Sequence, residues 1–184
     1  MVIAYHAIFT TYGTWLPNDP RGSYSKTMYN AELAALSPIL YGHQTPQPDA
    51  GTFRRFRTGA IPKLGREPYL IGERARPLIA EAFGHEVRRL QLAVYACAIM
   101  NDHVHLVVLR STYRIEYVVN QLKGRATSAL RLTHTPWTRG GHNVFLDDEE
   151  TVHAAVEYVQ ANPKAAGLSD QRWDFVKPLP PRGT

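Results

Sequence analysis

His103 and His105 stand in the run Met100-Asn-Asp-His-Val-His-Leu-Val-Val108. A strand sends alternate side chains to opposite faces. Both imidazoles therefore point one way, together with Val107, while Val104, Leu106 and Val108 point the other way and suit a core. Two imidazoles side by side on a rigid strand can hold one divalent ion; two ordinary histidines at a solvent edge carry the same pattern. Further on, Glu157-Tyr-Val-Gln-Ala-Asn-Pro163 reads as helix, and residues four apart lie one above the other on a helix face. Tyr158 and Asn162 are such a pair. A tyrosine oxygen becomes a nucleophile once a base or metal favours its deprotonation, and an asparagine carbonyl can ligate a metal or orient a phosphate. The same residues also suit a half-buried packing tyrosine with a wet hydroxyl and a helix C-cap.

The elements that must position these residues are legible from periodicity. Tyr5 to Trp15 alternates β-branched and aromatic residues and predicts a strand, with His6, Ile8, Thr10 and Tyr12 on one face. Glu73 to Arg89 predicts a helix whose stripe is Ile79, Ala82, Phe83, Glu86, Val87 and Leu90, Glu86 being its one polar member. Leu90 to Met100 and 103–109 predict two strands joined by a turn at Asn101-Asp102. Thr112 to Leu132 predicts a second helix, with Ile115, Val118, Val119, Leu122, Ala126, Ala129 and Leu130 buried. Lys123, Arg125 and Arg131 lie off that stripe, on a face that is either merely solvated or able to grip a DNA backbone. A short strand is expected over Asn143 to Leu146. A third helix is expected from an N-cap at Asp148, with Val152, Ala155, Val156 and Val159 facing the core and Pro163 ending it. The order is strand, helix, strand, strand, helix, short strand, helix.

Residues 17–70 interrupt this order with seven prolines and weak periodicity. A short helix is expected over Asn30 to Leu40. Thr52-Phe-Arg-Arg-Phe-Arg-Thr58 reads as a loop anchored by two rings, although its aromatic and basic alternation also fits stacking on bases, with Arg54 and Arg55 neutralising phosphates.

The bulk composition bounds the function. The 184 residues suit one domain, 1–184, with 17–70 as an insertion of undetermined order. Apolar residues at 44% and charged residues at 20% allow a packed core. A net charge of +5 and a sequence pI of about 9.4 favour anionic partners, nucleic acid first. No apolar run approaches the ~20 residues of a membrane-spanning helix, so no membrane partner is expected. The N-terminus lacks the basic start of a secretory signal. The single cysteine, Cys97, excludes an internal disulfide and reads as a small core residue. A cytoplasmic location follows as the expectation. His6 can neighbour the histidine pair, though such a residue is more often structural. His43, His85, His134, His142 and His153 have no partners at ligand spacing.

Taken together, these segments resemble the single-tyrosine HUH transposases. The resemblance rests on Ala98-Ile-Met-Asn-Asp-His-Val-His-Leu-Val-Val108, Gln121-Leu-Lys-Gly-Arg125 and Glu157-Tyr-Val-Gln-Ala-Asn-Pro163. The Asn-Pro ending, and the start Thr11-Tyr-Gly-Thr-Trp-Leu-Pro-Asn-Asp-Pro-Arg-Gly22, resemble the REP-associated tyrosine transposase branch. It covers most of residues 4–17 and 73–170. The resemblance implies an α+β, ferredoxin-like sandwich: an antiparallel sheet with the histidine strand central and helices on one face. It implies cleavage of single-stranded DNA beside a hairpin, with Tyr158 forming a 5′-phosphotyrosine link and freeing a 3′-hydroxyl. It implies Mg²⁺ or Mn²⁺ on His103, His105 and Asn162, of which Mn²⁺ suits two imidazoles better, since magnesium prefers oxygen. It implies a bacterial, nucleoid-associated setting. Members occur as monomers and as homodimers, and spacing does not choose between a site formed within one chain and one shared between two. Two other readings are open: a domesticated hairpin-binding module without cleavage, and a zinc-dependent hydrolase. A carboxylate base at HExxH-type spacing is lacking, which counts against the hydrolase.

Overall fold

The computed structural model describes residues 1–23, 31–42 and 44–180. The chain divides into two compact units, one made of Met1–Thr10 with Leu70–Thr184, the other of Thr11–Tyr69. The first holds β1 (Ala4–Thr10), α3 (Ala75–Arg89), β2 (Val94–Ile99), β3 (His103–Leu109), α4 (Ile115–Ala129), β4 (His142–Leu146) and α5 (Glu149–Ala165). This is the order that periodicity predicts. The strands form one antiparallel sheet in the order β2-β3-β1-β4. A strand–helix–strand, strand–helix–strand chain with this order is the ferredoxin-like arrangement, and it places β3 and β1 centrally.

Helices cover both faces of the sheet, where one face was expected. α3 and α4 pack on the face of Phe9, whose ring meets Phe83 and Trp137 at 5.4–6.1 Å between centroids. α5 packs on the opposite face, where Val152, Val156 and Val159 join Ala4, Ala96, Ala98, Met100, Val107 and Leu146. Burying both faces explains why β3 reads Val104-His-Leu-Val-Val108, nearly continuous in apolar residues.

Several boundaries differ from expectation for local reasons. β1 ends at Thr10 rather than Trp15, since Gly13 takes φ +74° and turns the chain. β2 starts at Val94 rather than Leu90, after Gln91 adopts φ 53°. Pro163 does not end α5, which continues to Ala165. The helix stops at Gly167, with φ +71°, where Gly167 N–H donates to Lys164 O and Leu168 N–H to Pro163 O, a Schellman closure. A proline in the last turn forfeits only one ladder bond. The N-cap reading holds: Asp148 Oδ1 accepts from Thr151 N–H at 2.8 Å.

The unit Thr11–Tyr69 contains α1 (Ala31–Ala34), α2 (Ala50–Ala60) and a 3-10 turn at Ile61–Lys63. The short helix expected over Asn30 to Leu40 ends already at Ala34; Asn30 lies outside the described residues, as does His43. Thr52–Thr58 is helical, not a loop. Asp49 caps α2 by accepting from Thr52 N–H at 2.9 Å, and Phe53 and Phe56, three apart, fall on one helical side. Phe56 packs with Leu16, Leu33 and Ala60. The Arg21 guanidinium pairs with Asp19 at 2.8 Å and lies over the rings of Trp15 and Phe53, at 3.9 and 4.4 Å from their centroids.

Candidate active site

The sheet register carries the histidines to one place. β1 pairs with β3 so that Ile8 opposes His105 and Thr10 opposes His103; β1 pairs with β4 so that Ile8 also opposes His142. Directly opposed residues share a face. His6, His103, His105 and His142 thus stand on the α5 face. His105 lies between two other imidazoles: its Nδ1 is 2.9 Å from His6 Nε2, and its Nε2 is 2.9 Å from His103 Nε2. His103 Nδ1 lies 2.6 Å from Asp102 Oδ1. An ionised carboxylate only accepts, so this bond places a proton on His103 Nδ1 and leaves Nε2 facing His105. This carboxylate–histidine pairing is the usual support of a metal-binding imidazole.

Burial keeps the inner two rings neutral. His105 is 5% exposed and His6 7% exposed. Desolvation lowers the His105 pKa to about 3, aided by neighbouring His103 and His6, and that of His6 to about 4, aided by His142. His142 itself is lowered by burial. Neutral imidazole is the form that ligates metals.

Tyr158 lies over this cluster. Its ring centroid is 5.6 Å from that of His105 and 6.0 Å from that of His6, edge-on to both, and the residue is 57% exposed. The nucleophile candidate and the histidines therefore meet within one chain. Asn162, one turn on, donates from Nδ2 to Tyr158 O at 2.7 Å. That bond holds the amide along its own helix and leaves the Oδ1 atom as its acceptor end.

The donor set fits a divalent ion. Two nitrogens about 2.1 Å from one ion and at roughly a right angle to each other lie about 2.9 Å apart, as the Nε2 atoms of His103 and His105 do. Among the described residues, no three His, Cys, Asp or Glu side chains are grouped to hold an ion by themselves. The remaining positions would fall to an amide oxygen, water or a substrate phosphate.

The family profile described as Transposase IS200 like matches residues 62–161. That span is more than half the chain and contains both histidines and Tyr158. The chain belongs to the IS200-like transposases. It is accordingly a transposase and a DNA-processing enzyme. The fold agrees: a solved REP-associated tyrosine transposase bound to a REP hairpin superposes with a TM-score of 0.52 at 9% identity, over 91% of this chain and 70% of that one. A crystal structure from Deinococcus radiodurans R1 gives 0.42 at 13% identity, over 92% of this chain and 94% of that one. No curated protein matches the sequence.

Other expected site residues of this transposase divide by environment. Arg125 and Arg131 on the α4 side, and Arg54 and Arg55 on α2, are exposed. Lys123 is not on a solvated face, which corrects its expected contact with DNA. It is 6% exposed, donates to Thr138 O at 3.0 Å and to Gly140 O, and lies 5.3 Å from the Phe9 ring centroid. Desolvation lowers its pKa to about 8. The reason is the loop after α4, whose carbonyls close over the ammonium. Cys97 is buried and its thiol pushed up by desolvation, in keeping with a core role. Glu86, the odd member of the α3 stripe, is buried and held by Arg89 at 2.6 Å. Sequence reasoning assigned Asp102 only a turn and found no partner for His142. The Asp-His step at the start of β3 was the available signal for the first; the second needs the β1–β4 register.

Proposed function

We propose that this transposase cleaves and rejoins single-stranded DNA beside a folded hairpin. Tyr158 is the nucleophile. Its phenolic oxygen bonds to the scissile phosphorus as it loses its proton, and the 3′-oxygen leaves and takes one up. This yields a 5′-phosphotyrosine and a free 3′-hydroxyl. A second 3′-hydroxyl reverses the step on the new strand, so no nucleotide triphosphate is consumed. His103, His105 and Asn162 would hold Mg²⁺ or Mn²⁺, which when bound supplies Lewis-acid polarisation of the phosphate and neutralises charge. Positioning and charge stabilisation are what phosphoryl transfer requires. Exposed Arg125, Arg131, Arg54 and Arg55 contact the backbone of the DNA. The hairpin partner is suggested by the structural relative, which is bound to one. The chemistry is assigned to a single chain, because Tyr158 stands over His105 and His6 of its own chain.

The observation that carries this reading is the half-exposed Tyr158 ring seated 5.6 Å from the buried His105. The test is incubation with single-stranded hairpin oligonucleotides from the DNA flanking its gene, with Mn²⁺ or Mg²⁺. A covalent protein–DNA species is expected. It should be prevented by prior treatment with EDTA, and absent in Tyr158→Phe, which still binds the oligonucleotide. An adduct with the phenylalanine variant removes Tyr158 from the role. Binding without any cleavage by the unaltered protein would favour a hairpin-binding module.

A further inference from the structure

With each ring neutral, the bonded row Asp102, His103, His105, His6 admits two proton arrangements. In the first, His6 Nε2–H donates to His105 Nδ1, and His105 Nε2–H donates to His103 Nε2. In the second, His105 carries its proton on Nδ1 and donates it to His6 Nε2. The Nε2 atoms of His103 and His105, 2.9 Å apart, then both present lone pairs, and lone pairs that close repel unless a cation lies against both. Only the second arrangement lets His105 serve as a ligand through Nε2. It requires an acceptor at its Nδ1, and that acceptor is His6 at 2.9 Å. Asp102 already performs this office for His103 at 2.6 Å. His105 is buried, so its Nδ1–H must find a partner, and His6 Nε2 stands at hydrogen-bond distance.

We propose that His6 on β1 is a positioning residue for the divalent ion: it accepts the Nδ1 proton of His105 and thereby turns Nε2 of His105 to the metal. The inference rests on the metal reading above. The two arrangements carry the same number of protons. Loading moves one proton of His105 from Nε2 to Nδ1 and one of His6 from Nε2 to Nδ1, with no net release from the row. His6 is therefore a two-way partner, able to donate or accept at one atom, which no apolar residue can be. Glutamine, with both an amide and a carbonyl, is the nearest substitute.

Two measurements test this on the full chain without DNA. Mn²⁺ binding, followed by the EPR signal of the free ion, is expected to weaken roughly 10–100-fold in His6→Leu, the scale of a lost supporting partner, and to recover largely in His6→Gln. Long-range ¹H–¹⁵N NMR of the unaltered protein is expected to show His6 and His105 changing from the Nε2–H to the Nδ1–H form as Mg²⁺ is added. Equal Mn²⁺ affinity of His6→Leu and the unaltered protein overturns the role of His6 and leaves the metal reading standing. So does a His6 that still carries its proton on Nε2 at saturation, a readout that holds even if the leucine variant does not fold. No Mn²⁺ binding by the unaltered protein overturns the metal reading itself, and this inference with it.

Discussion

At the scale of single residues, the site is a set of neutral imidazoles held out of water beneath an exposed phenol. That environment has a measurable cost. An unfolded histidine takes up a proton near pH 6.5, whereas His6 and His105 in the fold resist it down to about 4 and about 3. Below pH 6.5 the unfolded chain therefore binds more protons, so stability present above 6.5 is lost as pH falls towards these lower values. Calorimetry is expected to show a melting temperature at pH 5 several degrees below that at pH 7.5; a flat profile over that range contradicts the neutral buried pair. Lys123 belongs to the same scale. Its ammonium holds Thr138 O and Gly140 O. Lys123→Met is expected to cost about 1–3 kcal/mol, since a partner's loss strands buried acceptors. Denaturant unfolding checks it. The comparison with Arg125→Ala separates the two roles, for the latter should weaken DNA binding at unchanged stability.

At the scale of elements, α5 carries Tyr158 and Asn162 and must present them at a fixed height above the sheet. Three buried valines seat it, and its two ends are closed by local chemistry. Asp148→Ala removes the N-cap bond to Thr151 and is expected to cost about 1 kcal/mol. Gly167→Ala meets no atom within 4 Å, so its penalty is the left-handed backbone alone, about 1–2 kcal/mol. Each should lower the melting temperature by about 2–4 °C per kcal/mol in a chain of this size. A shift well below 1 °C for Gly167→Ala would mean the Schellman closure contributes nothing. The β1–β3 pairing has the other positional duty. It fixes which β1 residues stand beside His105, and a slip of one residue would turn His6 away from the site.

At the scale of the whole molecule, a net charge of +5 suits association with a polyanion. No described helix is long and apolar enough to cross a membrane. Binding to single-stranded DNA should weaken steeply with salt, because neutralised phosphates release counterions. Replacing Arg125 and Arg131 by alanine is expected to reduce the slope of log K against log salt by about 0.7 for each phosphate that the variant no longer neutralises. Titrations at several salt concentrations give the slope directly. An unchanged slope moves the DNA path away from the α4 side and leaves Arg54 and Arg55 on α2 as the exposed candidates.

What the sequence determined by itself was periodic or local. The two-residue step from His103 to His105 on a strand set both on one face, the 3.6-residue period of the stripes revealed α3, α4 and α5, and Asp148 announced its cap. Each depends on neighbours within a few residues, and so does the four-residue step from Tyr158 to Asn162. What only the tertiary structure decided depends on residues far apart in the chain. His6 reaches His105 across the β1–β3 register, 99 positions away. His142 arrives through β4, and Tyr158 is set over the rings of His6 and His105 because α5 packs on the face that α3 and α4 leave open. Lys123 looked solvated until the loop at Thr138–Gly140 closed over it. Thr52–Thr58 alternated like an extended loop until capping at Asp49 and burial of Phe56 made it helix. Periodicity reports which side of an element is apolar. It carries no information on which distant element covers that side, and the candidate site is built from such coverings.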